Sequence, residues 1–598
     1  MPERKEERYE ESELYRIRHS TAHIMAQAVL ELFPSAKIAI GPPIEDGFYY
    51  DFDLPRPLTP EDLEKIEKRM REIIKTGLHF TRKVVSADEA KKVFKDQPYK
   101  LELIEGLEKG TLDEDGNPVS EKPEISLYTQ SIFTDLCRGP HVESSSEINP
   151  DAIKLMSVAG AYWRGDEKRP MLQRIYGTAW EKQEQLKEYL WRLEEAKKRD
   201  HRKLGKELGL FYFSDDVGPG LPLFSPKGEI LRYLMEGYVR DLQTRYGYQH
   251  VWTGHVVKED LYKRSGHYEN YKDAMFPPMV DENVTFRLKP MNCPSHMTLY
   301  NEMGLHSYRE LPLRFAEFAT LYRYEKTGEL TGLTRVRSLT QDDCHIFCTE
   351  DQIESEFKLA LDLIREVLNT YNFSNYRVRL SLRGKAGKYV QDDEKWDKAT
   401  KALQSAMDAS GLEYSVAEGE AAFYGPKADF IARDVLGRDW QLSTIQVDFI
   451  QPGRLGCTYI GEDGQEHTPV LLHRAVTGST ERFLGVLIEH YAGAFPAWLA
   501  PDQAVLIPIA DRHFDYAKEV ATKLKEKGIR AIVDDRSERM NSKIRYAQTQ
   551  KIPYMLVVGD KEMENGQVAL RLRSGENPGA MSLDDFIKLA LEEIEKKI

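Results

Sequence analysis

The chain has 598 residues, 41% of them hydrophobic and 30% charged, which is typical of a folded protein of several domains and excludes a disordered chain. The polar start and the lack of an apolar run of about 18 residues predict neither a secretion signal nor a membrane span. Five scattered cysteines indicate no disulfide framework and fit a reducing cytoplasm, while the net charge of −14 still allows a local basic surface for nucleic acid.

A charged tail and two helices are predicted at the start of the chain. Residues 1–12 carry little to bury, so we expect them to be poorly ordered. A helix is predicted from Glu13 until Pro34 stops it. A second, amphipathic helix is predicted within residues 60–77 and ends at Gly77.

Four residues of metal-ligand type lie in this first region. His19 and His23 are four apart and therefore share a helix face, and Cys137 and His141 lie on a Gly-Pro turn. Together they could bind zinc. They could equally be ordinary helix histidines beside an unrelated turn, or a functional site without a metal, and their spacing does not decide between these alternatives.

A long exposed helix is predicted for residues 180–208, where an apolar stripe runs through dense charge. It would join two domains. Its basic cluster, residues 197–203, could contact phosphates, although a solvated helix face is the commoner use of such a cluster.

The rest of the chain divides into two regions. Residues 210–497 mix helices and strands without regular alternation and contain neither a GxxxxGK[ST] loop nor a strand-linked GxGxxG, so arginines would have to hold any nucleotide. Residues 501–598 do alternate, and they predict a small α/β domain with a parallel core.

Residues 323–348 predict an antiparallel hairpin around the loop KTGELTG. Residues two apart on a strand share a face, so Arg323 and Glu325 would lie together on the first strand. The second strand would present one polar row: Arg335, Arg337, Leu339, Gln341, Asp343 and His345. Such a row indicates either a solvated sheet face or a polar substrate cleft, and its length favours the cleft.

Three further potential metal ligands are Cys293 in KPMNCPSHM, His345 in DDCHIFC and His473 in LLHRAVTGSTERF. The sequences around these three residues resemble those of bacterial-type threonyl-tRNA synthetases, which are class II aminoacyl-tRNA synthetases. The same resemblance is carried by the motifs RYE, RVRSLTQDD, HSTAH, CRGPH, GAYWRGD and NYKDAMF. The resemblance extends from about residue 19 to the C-terminus. It implies an α+β multidomain fold with an antiparallel catalytic sheet flanked by helices, an α+β editing domain and a C-terminal α/β anticodon-binding domain.

The resemblance implies ATP-dependent attachment of L-threonine to tRNA(Thr) through a threonyl-adenylate, with Mg²⁺ accompanying ATP. Cys293, His345 and His473 would hold one Zn²⁺ per subunit, which takes the amino and hydroxyl groups of threonine and so rejects valine. The other substrate-binding positions are Gln341, Asp343, Tyr424, Thr444 and Gln446. The ATP-binding positions are Arg323, Glu325, Arg335, Leu339, Gln441 and Arg482. The catalytic positions are Arg323, Arg482, His267 and Lys427.

The resemblance also implies hydrolytic editing of seryl-tRNA(Thr), because a missing methyl group is worth only about 1–3 kcal/mol in a pocket. The implied editing residues are His19, His23, Tyr50, Lys100, Asp135, Cys137 and His141, without a metal. The implied anticodon contacts are Ser537, Glu562 and Arg571.

The implied domains are a tail (1–12), an editing domain (13–178), a linker helix (179–208), a catalytic domain (209–497) and an anticodon-binding domain (498–598). A cytoplasmic homodimer is implied, and the family's small N-terminal ubiquitin-like domain is expected to be missing. Three positions depart from the family pattern: His255 replaces a proline, Leu339 an adenine-stacking Phe, and Ser537 an Asn.

Two other functions fit parts of the sequence. An inactive paralogue that only binds RNA is disfavoured by the retention of Arg323, Glu325, Arg482 and the three zinc ligands. A zinc-dependent tRNA-ester hydrolase would not need Cys293 for its main activity. Threonine-dependent ATP–pyrophosphate exchange distinguishes the paralogue from a ligase. For the hydrolase Cys293→Ser should leave the physiological activity intact, whereas for a ligase it should abolish activation.

Overall fold

A computed structural model describes residues 9–110, 124–384 and 387–597. The chain forms two compact units, residues 1–194 and 195–598. All five cysteines lie in the described ranges and are buried, and no disulfide joins them. Among the described residues, no helix is long and apolar enough to cross a membrane.

The described residues of the first unit form two antiparallel sheets and four helices, and a fifth helix begins within the unit. Its helices are α1 (Glu13–Leu32), α2 (Pro60–Ile74), α3 (Ala87–Val93), α4 (Pro98–Lys109) and α5 (Gln183–Arg199). Its strands are β1 (Lys37–Ile38), β2 (Pro43–Ile44), β3 (Gly47–Asp53), β4 (Thr81–Val84), β5 (Ser126–Gln130), β6 (Phe133–Leu136), β7 (Ile153–Tyr162) and β8 (Met171–Ala179). One sheet has the order β1-β3-β8-β7 with β2 on β3, and the other has the order β4-β5-β6.

Capping side chains determine where the two predicted helices of this unit begin. Ser12 caps α1 by accepting a hydrogen bond from the backbone N–H of Tyr15, and a capping box between Thr59 and Asp62 starts α2. Both helices pack on the same apolar core. Residues 1–8 of the predicted tail lie outside the described residues, but Tyr9–Glu11 form a 3-10 turn, so the expectation of a poorly ordered tail is wrong for that part.

The stretch predicted as one long helix, residues 180–208, is two helices: α5, and then α6 (His201–Glu207). The helix is interrupted at Asp200. The side chain of this residue caps α6 by accepting a hydrogen bond from the backbone N–H of Arg202 at 2.8 Å. The sequence prediction missed this internal cap within a run of helix-favouring residues.

The second unit contains an eight-stranded sheet and its covering helices. Its helices up to residue 497 are α6, α7 (Pro226–Arg245), α8 (Glu259–Ser265), α9 (His267–Tyr271), α10 (Cys293–Glu302), α11 (Ile353–Thr370), α12 (Asp393–Ala409), α13 (Gln451–Arg454) and α14 (Thr480–His490). Its small strands are β9 (Phe211–Tyr212), β10 (Leu223–Phe224), β12 (Val256–Lys258), β13 (Met279–Asp281), β14 (Val284–Leu288), β15 (His306–Ser307), β22 (Tyr459–Ile460) and β23 (Glu466–His467).

The large sheet has the order β11-β16-β17-β24-β21-β20-β18-β19. These strands are β11 (Gln249–His250), β16 (Leu313–Tyr322), β17 (Ser338–Cys348), β18 (Tyr376–Leu382), β19 (Tyr414–Glu418), β20 (Lys427–Arg433), β21 (Asp439–Asp448) and β24 (Val470–Ala475). The six central strands are antiparallel, and only the two edge strands pair in parallel. The predicted antiparallel catalytic sheet is confirmed.

The hairpin is also confirmed, because β16 and β17 pair antiparallel. Its strands are shorter than expected, however. Arg323 and Glu325 follow the end of β16, and Arg335 and Arg337 precede β17, so these four lie in the connection and not on the strands. Residues 323–337 are called the nucleotide loop below, because they contain three of the predicted ATP-binding residues.

The C-terminal part of this unit is the predicted α/β domain. Its elements are β25 (Ala504–Pro508), α15 (Phe514–Glu526), β26 (Ala531–Val533), α16 (Met540–Thr549), β27 (Tyr554–Val558), α17 (Asp560–Asn565), β28 (Gln567–Leu572), β29 (Gly579–Ser582) and α18 (Leu583–Lys596). The three strands β26-β25-β27 are parallel, as expected, and β28 and β29 extend the sheet antiparallel.

Candidate functional site

The central sheet brings together three ligand-type residues that are far apart in sequence. His345 on β17 lies directly opposite His473 on β24, and Cys293 is the first residue of α10. One potential ligand atom from each lies within 4.8 Å of the others, and all three residues are buried. A thiol and two imidazoles in a closed group are the donor set that zinc prefers.

A buried carboxylate orients one of these imidazoles. Asp448 Oδ2 lies 3.0 Å from Nε2 of His473, and Asp448 Oδ1 accepts the backbone N–H groups of Ile450 and Gln451 at 2.7 and 2.9 Å. A carboxylate can only accept from the ring, so Nε2 carries the proton and Nδ1 is left for a metal.

The second imidazole is oriented through another histidine. Nδ1 of His345 lies 2.8 Å from Nδ1 of His296, whose Nε2 lies 2.9 Å from Glu317 Oε2. This leaves Nε2 of His345 for a metal. The ring orientations and the donor set therefore both fit a zinc ion.

A pocket surrounds the three ligands. It is lined by Met291, Cys293, Gln341, Asp343, His345, Tyr424, Thr444, Gln446, His473, Arg474 and Ala475. The hydroxyl of Tyr424 donates to Gln446 Oε1 at 2.6 Å, and its ring stacks on His473 with 4.8 Å between centroids. Burial raises the pKa of Asp343 to about 6. All five predicted substrate-binding residues line this pocket with the three ligands.

Asp429 on β20 is a buried carboxylate that the sequence prediction missed. It lies 3.0 Å from Lys427 Nζ and accepts from the amide of Gln441 at 2.7 Å and from the hydroxyl of Thr444 at 3.2 Å. One side chain thus fixes three of the predicted site residues. The available signal was the alternation of β20, which puts Lys427 and Asp429 on one face.

His267, a predicted catalytic residue, contacts one of the ligands. It begins α9, and its Nε2 lies 3.2 Å from Cys293 Sγ while its Nδ1 lies 2.8 Å from the hydroxyl of Ser265. Burial lowers the pKa of its imidazole to about 3.

The predicted ATP residues Arg323, Glu325 and Arg335 lie in the nucleotide loop. Arg323 donates to the backbone oxygen of Pro290 at 3.5 Å, and Arg335 forms an ion pair with Glu325 at 2.9 Å. The arginine and carboxylate groups are therefore adjacent, although a loop and not a strand face places them.

Arg482 and Leu339, like Gln441 beside Asp429, are predicted ATP residues that do not line the substrate pocket. Arg482 lies in the first turn of α14 near the ring of Trp440, and its Nε has no hydrogen-bond partner among the described residues. Leu339 on β17 packs with Ala319, Leu321 and Val336. Leu339 therefore makes apolar contacts, although it lies in the middle of the row of polar residues predicted from Arg335 to His345.

All seven predicted editing residues meet in the first unit. Asp135 is the centre of one half: it accepts from the hydroxyl of Tyr50 at 2.5 Å and from Lys100 Nζ at 2.6 Å, and it lies 3.5 Å from His23 Nε2. Burial, reinforced by Asp135, raises the pKa of Tyr50 well above its usual value.

Cys137 is the centre of the other half. Its Sγ lies 3.2 Å from His19 Nε2 and 3.3 Å from His141 Nε2. Burial lowers the pKa of both His19 and His23 to about 3, so these imidazoles are neutral at physiological pH. Potential ligand atoms of His19, His23, Cys137 and His141 lie within 4.8 Å of one another, so the geometry alone does not decide whether a metal binds.

The predicted anticodon residues lie on three separate segments of the C-terminal domain. Ser537 is exposed after β26, and Arg571 is on β28. Glu562 accepts from the backbone N–H of Gly559 at 2.9 Å and so caps its own helix, α17.

His255, which stands where the family pattern has a proline, lies with its Nδ1 2.8 Å from the hydroxyl of Tyr322.

Three family models match the chain in the regions just described. Residues 276–491 match the tRNA synthetase class II core domain (G, H, P, S and T), residues 503–593 the anticodon binding domain, and residues 125–176 the threonyl and alanyl tRNA synthetase second additional domain. The threonine–tRNA ligase of Rubrobacter xylanophilus is 62% identical over 97% of this chain and 89% of its own length. The chain belongs to the threonine–tRNA ligase family.

Other members are similar over almost the whole chain. The threonine–tRNA ligase of Thermus thermophilus is 52% identical over 97% of this chain and 88% of its own length. Among solved structures, the RNA binding domain of threonyl-tRNA synthetase from Cryptosporidium parvum matches 66% of this chain and 98% of its own, at 38% identity and a TM-score of 0.63. A putative threonyl-tRNA synthetase from Aeropyrum pernix matches 67% and 96%, at 30% identity and a TM-score of 0.58.

The fold class and the family expected from the sequence are therefore confirmed. The individual residue roles remain predictions. Sequence reasoning missed the buried groups that hold the site residues: Asp429, Asp448, His296 and Glu317.

Proposed function

We propose that this chain catalyses the ATP-dependent attachment of L-threonine to tRNA(Thr) through threonyl-adenylate, and that it hydrolyses mischarged seryl-tRNA(Thr). The observation that carries the proposal is the buried group Cys293, His345 and His473 beside Asp343, within a class II core. The threonine–tRNA ligase relatives supply the choice of amino acid.

Cys293, His345 and His473 would hold one zinc ion per subunit, with Asp448 and His296 fixing the two rings. When bound, zinc supplies a Lewis acid for the amino and hydroxyl groups of threonine, and valine lacks the hydroxyl. Asp343 is on the same strand face as His345 and accepts the hydrogen bond of that hydroxyl. Tyr424, Gln446, Thr444 and Gln341 close the pocket around the amino acid.

Adenylate formation needs charge stabilisation but no protein nucleophile. The threonine carboxylate attacks the α-phosphorus of ATP, which enters with Mg²⁺, and pyrophosphate leaves. Arg323, Arg482 and Lys427 bind the phosphate oxygens, because guanidinium and ammonium groups match their charge. Glu325, Arg335, Leu339 and Gln441 surround the nucleoside. The unpartnered Nε of Arg482 supports this assignment, since a buried donor without a partner favours an anionic ligand.

The second half-reaction joins threonine to the tRNA. The terminal ribose hydroxyl attacks the adenylate carbonyl, an ester forms and AMP leaves with the bonding electrons of the anhydride. His267 would relay the hydroxyl proton, and its position beside Cys293 supports this role. Ser537, Glu562 and Arg571 would contact the anticodon.

Editing takes place in the first unit, where a water attacks the seryl ester. The neutral imidazoles of His19, His23 and His141 can accept hydrogen bonds from this water, while Lys100, Tyr50 and Asp135 orient the substrate. The ester C–O bond breaks, serine is released, and the ribose oxygen of the tRNA leaves with the proton of the water. A second site is needed because serine keeps the hydroxyl and differs by one methyl group, worth about 1–3 kcal/mol. We place this chemistry in the cytoplasm and in a homodimer, as the family resemblance implies.

Amino-acid-dependent ATP–pyrophosphate exchange, combined with zinc analysis, tests the proposal. The wild type should exchange with threonine, more weakly with serine and not with valine, and should contain one zinc per chain. Cys293→Ser should lose both zinc and exchange, whereas Cys457→Ser, at another buried cysteine of the same apolar cluster, should keep both. A wild type without threonine-dependent exchange contradicts the function, and an active, zinc-containing Cys293→Ser contradicts the metal site.

A further inference from the structure

His201 belongs to the basic cluster 197–203, for which the sequence suggested a phosphate contact or a solvated face. The structure supports neither for this residue. It is the first residue of α6, directly after the cap Asp200, and its side chain is 3% exposed. A buried imidazole requires hydrogen-bond partners, and the residues that supply them indicate the role of His201.

Both ring nitrogens of His201 are hydrogen-bonded. Nε2 accepts from the backbone N–H of Leu333 at 3.0 Å, and Nδ1 lies 2.6 Å from Glu489 Oε1. A backbone N–H can only donate, so Nε2 is unprotonated and Nδ1 carries the proton that is donated to Glu489. No ring lone pair remains for a metal, although Asp200, His201 and Glu489 are close enough to one another to suggest one. The side chain of Asp200 is also used, in the cap of α6.

The two partners lie on two different segments that carry proposed ATP-binding residues. Leu333 is in the nucleotide loop that carries Arg323, Glu325 and Arg335, and its side chain is fully buried in the main core. Glu489 is on α14, seven residues and therefore about two turns after Arg482. The ring of His201 thus connects the two segments that carry the proposed phosphate-binding arginines.

The loop is shaped to receive this ring. Gly332, next to Leu333, has φ of +51°, and a Cβ built there would lie 2.2 Å from Nε2 of His201. Position 332 therefore suits glycine on two grounds, the left-handed backbone and the close approach of the imidazole. Gly485 of α14 faces the same turn, where a Cβ would lie 3.4 Å from Leu333 Cβ.

We propose that His201 is a positioning residue for ATP, which holds the nucleotide loop against α14 through Leu333 and Glu489. It does not touch the substrates itself. Without this bridge the loop would spend less time in the arrangement that binds ATP, and the apparent affinity for ATP falls in proportion to the binding-competent fraction. The amino-acid pocket is on β17, β21 and β24, so its affinity for threonine should not change. The inference rests on the proposed function, because it assigns His201 to the ATP end of that site.

The test measures KM for ATP and for threonine separately in His201→Leu and His201→Gln. His201→Leu leaves the N–H of Leu333 without an acceptor, and we expect KM for ATP to rise about three- to tenfold, the equivalent of one lost hydrogen bond, with KM for threonine unchanged. His201→Gln should recover part of the loss, because its amide can accept from Leu333 and donate to Glu489. Lys203→Leu, at an exposed position of the same helix, is the control and should match the wild type.

Gly332→Ala tests the bridge from its other side and keeps the proposal testable if His201→Leu does not fold. Its methyl group must displace the imidazole, so the same selective rise in KM for ATP is expected. Unchanged KM for ATP in these variants overturns the proposal. So does an equal rise of both KM values, or a fall in kcat alone, because these would indicate a general structural role. Failure of the proposed function would be seen separately, as a wild type without threonine-dependent exchange, and the inference would fail with it.

Discussion

Buried carboxylates fix several polar side chains of the proposed active site. Asp429 binds three site residues, Asp448 orients His473, and Glu317 supports His296. Burial raises the pKa of Glu317, but hydrogen bonds from His296 and Asn292 outweigh it and bring the value to about 2. Such a carboxylate stays ionised and accepts fixed hydrogen bonds, so the imidazoles and amides that it holds are oriented before any ligand binds.

Leu339 is the residue for which the family pattern predicts a measurable difference. We expect Leu339→Phe to lower KM for ATP about two- to tenfold, because stacking of an aromatic ring on the adenine adds about 0.5–1.5 kcal/mol beyond apolar contact. The side chain is on the proposed ATP-binding strand β17 and is 8% exposed, among Ala319, Leu321 and Val336. Steady-state ATP–pyrophosphate exchange at saturating threonine measures the effect.

Leu339→Met is the matched control, since it changes the shape of the apolar side chain without adding an aromatic face. Its KM for ATP should equal that of the wild type. Thermal unfolding of both variants distinguishes a binding effect from overpacking in this small cluster. If Phe and Met leave KM for ATP equally unchanged, residue 339 does not contact the adenine.

At the scale of helices and strands, the sequence predicted the elements that are determined by patterns of neighbouring residues. Helix α1, the β16–β17 hairpin and the parallel core of the C-terminal domain all follow from periodicity, caps and turn residues. The break at Asp200 was missed because the helical spacing of apolar and charged residues continues through it. The N-cap of α6 therefore leaves no sign in that spacing. The ends of β16 and β17 were also missed, since alternation of polar residues continues into the nucleotide loop.

The sequence could not give the register between distant strands. His345 pairs with His473, and His473 with Gln446, across segments separated by more than a hundred residues in the first case. No local pattern specifies that pairing, so only the family resemblance placed the three ligands together. Asp448 was missed for the same reason, because His473 becomes its neighbour only through the sheet. For Asp429, strand alternation could indicate only Lys427, since its other partners Gln441 and Thr444 lie on the neighbouring strand β21.

Asp448→Asn tests whether the end of β21 orients a metal ligand. The amide can still accept the backbone N–H groups of Ile450 and Gln451 through its oxygen, so α13 keeps its start. Its NH₂ group then faces Nε2 of His473 and favours the tautomer with the proton on Nδ1, the atom left for the metal. We expect zinc affinity to fall about 10- to 100-fold, measured by competition with a chelator.

Asp463→Asn is the control for this change. Asp463 also lies 2.9 Å from a histidine, His467, but that pair is exposed, and neither residue lines the pocket of Cys293, His345 and His473. Its zinc affinity should equal that of the wild type. An Asp448→Asn protein that binds zinc as tightly as the wild type would show that Asp448 does not tune His473.

At the scale of the whole molecule, the two proposed chemistries belong to different compact units. The predicted editing residues all lie within residues 1–194, and the predicted metal ligands Cys293, His345 and His473 all lie within residues 195–598. Each group is held by hydrogen bonds within its own unit. The two activities should therefore be separable by single substitutions.

We expect His19→Ala to abolish hydrolysis of seryl-tRNA(Thr) while threonine activation stays at the wild-type rate, because His19 belongs to the first unit, where it contacts Cys137 and Pro140. Cys293→Ser should do the reverse. Deacylation of preformed seryl-tRNA and ATP–pyrophosphate exchange, measured on the same preparations, give the two readouts. His79→Ala, at an exposed histidine of the first unit, should change neither.

The pattern of losses distinguishes a ligase with editing from a hydrolase that merely retains a ligase fold. For a ligase, Cys293→Ser removes the activity that forms threonyl-tRNA, and deacylation alone remains. For a hydrolase, the wild type would show no threonine-dependent exchange, so Cys293→Ser would change nothing. Loss of both activities in either variant would contradict separate sites, since each substitution removes one ligand-type side chain from only one of the two buried clusters.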